Sequence, residues 1–222
     1  MKQKAKYIFL LYWFIAFTDI LFIYLEKDAL RWVTKPLLIP VLAFAFYRGS
    51  YFKKGTLYYF ILAALFLSWG GDVLLQFKGM FIPGLISFLL AHIFYILYFI
   101  NTNAQRKGLL QFQPLIGLPV LIYIVLFLYP LYPFLESLKI PVTVYGITIG
   151  TMLLMSINTR RKVSDNAAAL FFNGALQFVI SDSLLAVNMF AVNRLVLSVC
   201  VMLTYASAQY LIVKGALVNE RS

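Results

Sequence analysis

The 222-residue chain is short of the residues that most enzymes rely on, with one cysteine, Cys200, and one histidine, His92. A lone thiol cannot close an internal disulfide, and neither residue type is numerous enough for a usual zinc site. Cys200 lies inside an apolar run and reads as packing. Charge is scarce as well: charged residues make up 12% of the chain and hydrophobic ones 63%, which excludes a soluble globular class. Eight acidic residues stand against 19 lysines and arginines, giving a net charge of +11. In a soluble protein that excess would point to nucleic acid. Here the basic residues sit between apolar runs, where they set membrane orientation instead. No Gly-x-Ser-x-Gly elbow, Walker loop or His-Glu-x-x-His motif is present. The sequence therefore assigns no metal, no cofactor and no nucleic-acid partner.

What is present is a series of apolar segments, at about 7–24, 34–47, 57–76, 82–100, 113–131, 140–157, 167–188 and 194–213. Most approach the roughly 20 residues that span hydrocarbon as a helix. None shows barrel-type alternation, and helices satisfy their own backbone in lipid. The expected fold is an all-α polytopic membrane protein with eight transmembrane helices, forming a single bundle domain over residues 1–222. The first segment follows Lys2, Lys4 and Lys6 but is too long for a signal core and lacks a cleavage site, so it reads as a retained helix. The second is short and opens at Lys35-Pro36, which predicts an irregular start with proline in the first turn.

The intervening loops alternate in charge. One side holds Lys2, Lys4, Lys6, Arg48, Lys53, Lys54, Arg106, Lys107, Arg160, Arg161, Lys162, Lys214 and Arg221; the other holds Lys27, Arg31, Lys78, Lys139 and Arg194. This asymmetry places both termini in the cytoplasm, which requires an even number of spans. The expected location is the inner (plasma) membrane of a bacterium.

Two carboxylates interrupt the apolar runs in related settings, Gly71-Asp72-Val73-Leu74-Leu75 and Ser181-Asp182-Ser183-Leu184-Leu185. They stand 110 positions apart, about half the chain, and Lys35 and Tyr145 stand at the same offset. The spacing points to a 4+4 internal parallel repeat. A carboxylate in hydrocarbon costs roughly 2.5–3.5 kcal/mol on insertion scales, so a matched pair needs a reason. With alternating orientation, Asp72, Asp182, Lys35, Tyr145 and Asp19 all reach one layer towards the non-cytoplasmic leaflet, and His92 lies nearer the middle. Ser68, Asp72 and Gln76 share one face of the third helix, and Asn173, Gln177, Ser181 and Asn188 form a polar stripe on the seventh. Such a stripe lines either a cavity or an interhelical hydrogen-bond seam. Gly70 and Gly71 permit close approach of either a ligand or another helix.

Two aspartates in a low-dielectric site can divide their labour, one acting as a general acid while its neighbour stays an anion. Glycosidases use that division against an oxocarbenium-like transition state. A lipid vinyl ether passes through a similar cation: protonation at carbon, attack by water, then collapse of a hemiacetal to an aldehyde. A Ser–His pair formed by His92 with Ser68, Ser87 or Ser181 is not favoured by anything in the sequence. Intramembrane carboxylates and duplicated halves also describe proton-coupled transporters and lipid-moving proteins, which form the alternative class. A metal-dependent amidase of ceramidase type is disfavoured by the single histidine.

Lys35-Pro36-Leu37-Leu38, Gly71-Asp72-Val73-Leu74-Leu75, Ala91-His92-Ile93-Phe94-Tyr95, Tyr145-Gly146 and Ser181-Asp182-Ser183-Leu184 follow one another in this order. Together they resemble the YhhN-type family, whose animal members are lysoplasmalogenases, over roughly residues 30–210. The resemblance implies an eight-helix membrane hydrolase acting, with water, on a lysophospholipid: a lysoplasmalogen cleaved at its vinyl ether to a fatty aldehyde and a glycerophosphoethanolamine or glycerophosphocholine. It further implies Asp72 and Asp182 as the acid/base pair, with Lys35, His92 and Tyr145 as supporting or binding residues. Ser181, Gln177 and Asn173 join them as polar neighbours on the stripe. Lys35 either holds the phosphate or snorkels to the interface. Tyr145 either orients an aspartate, hydrogen-bonds the leaving oxygen, or anchors the helix at the interface. His92 either relays protons or packs.

Overall fold

A computed structural model of the chain describes residues 3–51 and 55–221. Among them are eight α-helices: α1 (Gln3–Tyr24), α2 (Asp28–Gly49), α3 (Thr56–Leu74), α4 (Phe81–Asn101), α5 (Gly117–Leu131), α6 (Lys139–Asn158), α7 (Asp165–Phe190) and α8 (Leu195–Asn219). All eight spans are long and apolar enough to cross a membrane. The protein is therefore a multi-pass integral membrane protein, all-α as the apolar runs predict. Lys2, Lys53 and Lys54, part of the basic side of the charge alternation, lie outside the described residues.

The second helix departs from expectation. It begins at Asp28, so Lys35-Pro36 lies inside it and not at its start, and both Pro36 and Pro40 are interior. A helical proline leaves the carbonyl four residues earlier without its N–H partner. For Pro40 that carbonyl is Pro36 O, and the indole Nε1 of Trp69 on α3 donates to it at 2.9 Å. A neighbouring helix thus repairs the gap, as membrane helices with interior proline require. At the other end of the chain, α8 continues to Asn219, beyond the expected 213, because Lys214 lies with its ammonium over the Tyr210 ring (5.4 Å) and does not break the helix.

Packing is led by three sequential pairs, α1 with α2, α3 with α4 and α7 with α8, and by the cross-bundle pair α4 with α6. One apolar core runs through the bundle, with Tyr12, Phe46, Tyr95, Phe99, Phe171 and Phe178 among its largest fully buried side chains. Helix α5 is the exception. It leans chiefly on α6, is bounded by the 3-10 turns Pro114–Ile116 and Tyr132–Phe134, and leaves Leu121, Leu126 and Tyr129 exposed. The helix ends opposite the site are tied by polar contacts. Glu220 accepts from Ser50 Oγ (2.7 Å) and Tyr51 N (2.8 Å), joining the ends of α2 and α8. Lys162, between α6 and α7, donates its Nζ to Ile100 O at 2.8 Å, satisfying a carbonyl in the last turn of α4. Burial holds that ammonium below the ordinary lysine range.

The close approach of α3 and α4 depends on two glycines. A Cβ added to Gly71 would lie 2.5 Å from Phe88 Cδ2 and 3.0 Å from its Cγ, and one on Gly70 would lie 2.9 Å from Ser87 Oγ. Of the two uses open to this glycine pair, helix packing is the one observed. Gly71→Ala should cost roughly 1–3 kcal/mol by overpacking against the ring of Phe88. The measurement is thermal unfolding of the purified protein in detergent, and an unchanged midpoint would refute the packing role.

Candidate active site

The end of the bundle where α3 and α7 finish and α2, α4, α6 and α8 begin encloses a cavity of about 440 Å³. That volume falls within the range of small-molecule sites. Its polar lining includes Asp72, Asp182, Lys35, Tyr145, Ser181 and Tyr205, and the wall between them is apolar, with Leu85, Phe88, Val142 and Met202. Of the five residues expected to converge on one layer, Lys35, Asp72, Tyr145 and Asp182 line this one cavity and Asp19 does not.

Each aspartate is held from both halves of the chain. Asp72 is 2% exposed, too deeply buried for bulk water to serve as its partner. Lys35 Nζ lies 3.7 Å from its Oδ1, and Tyr205 Oη donates to Oδ2 at 2.6 Å. Asp182 accepts a short hydrogen bond at Oδ2 from Tyr145 Oη, and His92 Nε2 stands 3.8 Å from the same oxygen. The α2–α3 contact of Lys35 with Asp72 and the α6–α7 contact of Tyr145 with Asp182 join equivalent positions at the 110-residue offset. The cross-half contacts match as helices, since α8 reaches α3 through Tyr205 and α4 reaches α7 through His92. They differ in residue, because Tyr205 is the equivalent of Tyr95, while His92 is the equivalent of Met202.

His92 is fully buried, edge-on to Phe178 (centroids 4.7 Å) and to Tyr145 (5.3 Å). Neither of its ring nitrogens has a hydrogen-bond partner among the described residues. Its geometry therefore contains both sequence readings, packing against aromatics and a nitrogen turned to Asp182. Ser181 lines the cavity, with its Oγ donating to Val201 O at 3.1 Å. Asn188, from the same stripe, also lines it and is fixed by Ser198 Oγ and Arg194 N.

The rest of the stripe is not brought to the site. Asn173 is exposed and turns its amide back to Ala169 O (2.8 Å), and Gln177, half-buried, does not line the cavity. The stripe follows the pitch of α7 correctly, but the cavity occupies only the last turns of that helix. Gln76 lies beyond the end of α3 at Leu74 and hydrogen-bonds Asp72 O, not its carboxyl group. Asp19 is fully buried just outside the cavity, accepting from Thr34 Oγ1 (2.6 Å) and Arg31 Nη2 (3.5 Å).

Two residues escaped the sequence reading. Arg31 reads in the sequence as a loop charge, yet it lies in α2 and lines the cavity. Tyr205 had a usable signal: it stands 110 positions after Tyr95, inside one of the quoted motifs, and four before Gln209, which accepts from Tyr95 Oη at 2.6 Å. The ring of Phe88 meets that of Tyr205 edge-on at 5.9 Å. Gly71, Phe88, Tyr205 and Asp72 therefore form one packed chain. Among the described residues, no three His, Cys, Asp or Glu side chains gather as a metal-binding group.

An all-helical membrane bundle with one buried and one half-buried carboxyl group on one cavity defines the class. Residues 30–216 match the YhhN family, and the chain belongs to it. It is similar to the lysoplasmalogenase TMEM86B of Homo sapiens, 29% identical over 196 residues that cover 88% of this chain and 80% of that protein. The Rattus norvegicus protein of the same name is 26% identical over 196 residues, covering 88% and 78%. The Sus scrofa protein is 32% identical over 174 residues, covering 78% and 70%. No solved structure matches the chain.

Tyr205→Phe keeps the ring but removes the phenolic donor to Asp72 and the long contact that the same hydroxyl accepts from Gln209 Nε2 (3.4 Å). Leaving a buried acceptor short of a partner costs roughly 1–3 kcal/mol. The variant should unfold at a lower temperature in detergent, and a midpoint equal to wild type would remove Tyr205 from the support of Asp72.

Proposed function

We propose that the protein is a membrane-embedded lysoplasmalogenase that hydrolyses the vinyl ether of a lysoplasmalogen by carboxyl general acid/base chemistry. The observation that carries this reading is the pair Asp72 and Asp182 facing one cavity, each with its own hydrogen-bond donor. The family relationship supplies the substrate class. By the charge asymmetry of the loops, the cavity faces the non-cytoplasmic leaflet, and both termini are cytoplasmic.

The reaction needs a proton on carbon and a hydroxyl on the neighbouring carbon. One carboxyl group breaks its O–H bond as a C–H bond forms at the alkenyl carbon distal to the ether oxygen. The C=C π electrons make that bond, and a lone pair of the ether oxygen shifts towards the electron-poor carbon beside it, giving an oxocarbenium ion stabilised by the other carboxylate. Water attacks the oxygen-bearing carbon and yields its proton to that carboxylate. The resulting hemiacetal then breaks its bond to the glycerol oxygen, which takes the proton back. The hemiacetal hydroxyl returns a proton to the first group as the aldehyde forms. One water is consumed and both aspartates end as they began. Tyr145 and Tyr205 hold the carboxyl groups in place, and Lys35 balances the charge of Asp72 without needing to leave it.

Positioned acid/base groups contribute roughly 10²–10⁴-fold each. Asp72→Asn and Asp182→Asn should each lose aldehyde release by at least the lower figure while remaining folded. The assay offers purified protein a lysoplasmalogen beside an acyl-ester lysophospholipid. Aldehyde from the vinyl ether alone, lost in both variants, supports the reading. Retained turnover in both, or no aldehyde from folded wild-type protein, rejects it. Proton-dependent uptake into vesicles that is lost in the same variants would place the chain among carriers instead.

A further inference from the structure

A second, narrower space adjoins the cavity. It is a slot of about 50 Å³ between α5 and the pair α6 and α7, walled by Val120, Ile124 and Leu128 on one side and by Gly146, Ile149 and Val179 on the other. Val142, Tyr145, Asp182 and Ala186 border both spaces, so slot and cavity meet at the Tyr145–Asp182 pair. Gly146 keeps the slot open: a Cβ there would come to 3.4 Å from Leu128 Cδ1, an ordinary contact, and a longer side chain would fill the space. Helix α5 forms the outer wall of the slot, and its outer residues Leu121, Val125 and Leu126 are exposed. The hydroxyls of Tyr123 and Ser183, 2.6 Å apart, form the polar link between α5 and α7.

The opposite wall of the cavity has the opposite chemistry. Arg31 and Lys35 line it; Arg31 pairs through Nη2 with Asp19 (3.5 Å) and through Nη1 with Asp28 (3.8 Å), Lys35 pairs with Asp72 (3.7 Å), and Arg31 Nε is left buried without a hydrogen-bond partner among the described residues. A guanidinium donor in reserve beside an ammonium is a setting for an oxyanion such as a phosphate. A lysophospholipid has one charged end and one hydrocarbon end, with the reacting bond between them. The carboxyl pair likewise has a cationic wall on one side and an apolar slot on the other.

We propose that the α5–α6–α7 slot is the passage for the hydrocarbon chain of the lipid, so that the substrate lies with its phosphate at Arg31 and Lys35 and its chain running past Asp182 beneath α5 into the bilayer. The inference rests on the hydrolase reading for the identity of the lipid. The slot admits only a few methylenes at a time, and the remainder of the chain lies in membrane along the exposed face of α5. A chain of only a few carbons fits in the wide cavity and does not need the slot.

The test compares Gly146→Leu and Leu128→Ala with wild type on two vinyl ethers, one with a long alkenyl chain and one with a chain of about four carbons. One methylene in an apolar site is worth roughly tenfold or more. Gly146→Leu should therefore lower kcat/KM for the long chain by at least about tenfold and leave the short one within about twofold. Leu128→Ala should leave both turned over. For Gly146→Leu, equal losses on both chains, or no loss on the long one, overturn the proposal. A lysophospholipid carrying a photoreactive diazirine midway along its chain gives a readout that does not depend on turnover or on the folding of a variant. Labelling between residues 120 and 128 or 146 and 153, displaced by excess unlabelled lysophospholipid, supports the slot. Displaceable labelling confined to the Phe81 and Met189 side of the cavity overturns it. If wild type labels at the slot but releases no aldehyde, the hydrolase reading fails and the slot stands. If aldehyde is released and labelling lies elsewhere, the slot fails alone.

Discussion

The structure depends on keeping two carboxyl groups inside a bundle whose outer surface is hydrocarbon. Either group alone would be a liability, because removing a carboxylate from water is offset only by close, well-directed partners. The protein meets the requirement twice with the same device. Each aspartate, late in the third helix of its half, takes one partner from the helix before it and one from the opposite half. Because the second partner is borrowed across the bundle, α8 must stay against α3 and α4 against α7. The polar pairs thus fix which helices adjoin, while the apolar core, lacking direction, supplies most of the contact area.

Small residues then set how close those helices come. Gly71 lets Phe88 lie flat on α3, and Phe88 in turn presents an edge to Tyr205, whose hydroxyl reaches Asp72. Gly174 does similar work on the other side, where an added Cβ would meet Ile212 Cγ1 at 2.7 Å and crowd α7 from α8. Disturbing one of these glycines therefore moves a carboxyl group that it never touches. The site is sensitive to packing because its hydrogen bonds are short and its alternatives are few.

Most of this was legible in the sequence where a physical rule ties position to depth. Apolar length located all eight helices, and the 110-residue offset joined Lys35 to Tyr145 and Asp72 to Asp182 before any contact was known. Two kinds of information were not legible. Lys35-Pro36 reads as a helix start because the carbonyl that an interior Pro40 frees, Pro36 O, is satisfied by Trp69, which is remote in sequence. Asn173 and Gln177 read as site residues because helical periodicity specifies a face but not how far along that face a cavity extends. Tyr205 lay between these cases, visible through its equivalence to Tyr95 but unremarkable among fifteen tyrosines.

A duplicated frame alone would give two equal carboxyl groups, and acid/base chemistry needs unequal ones. Here the surroundings of the two groups are unequal because the residues 110 positions apart differ. Where one half has the ammonium of Lys35, the other has the phenol of Tyr145; where one half has His92, the other has Met202. Asp72 consequently sits between a cation and a phenol, and Asp182 between a phenol and an imidazole whose nitrogens have no other partner among the described residues. The surroundings diverge in the same sense, with the cationic wall on the Lys35 side and the apolar slot against Asp182. The two groups reach one cavity from positions 110 residues apart, and their differing partners give each a different environment there.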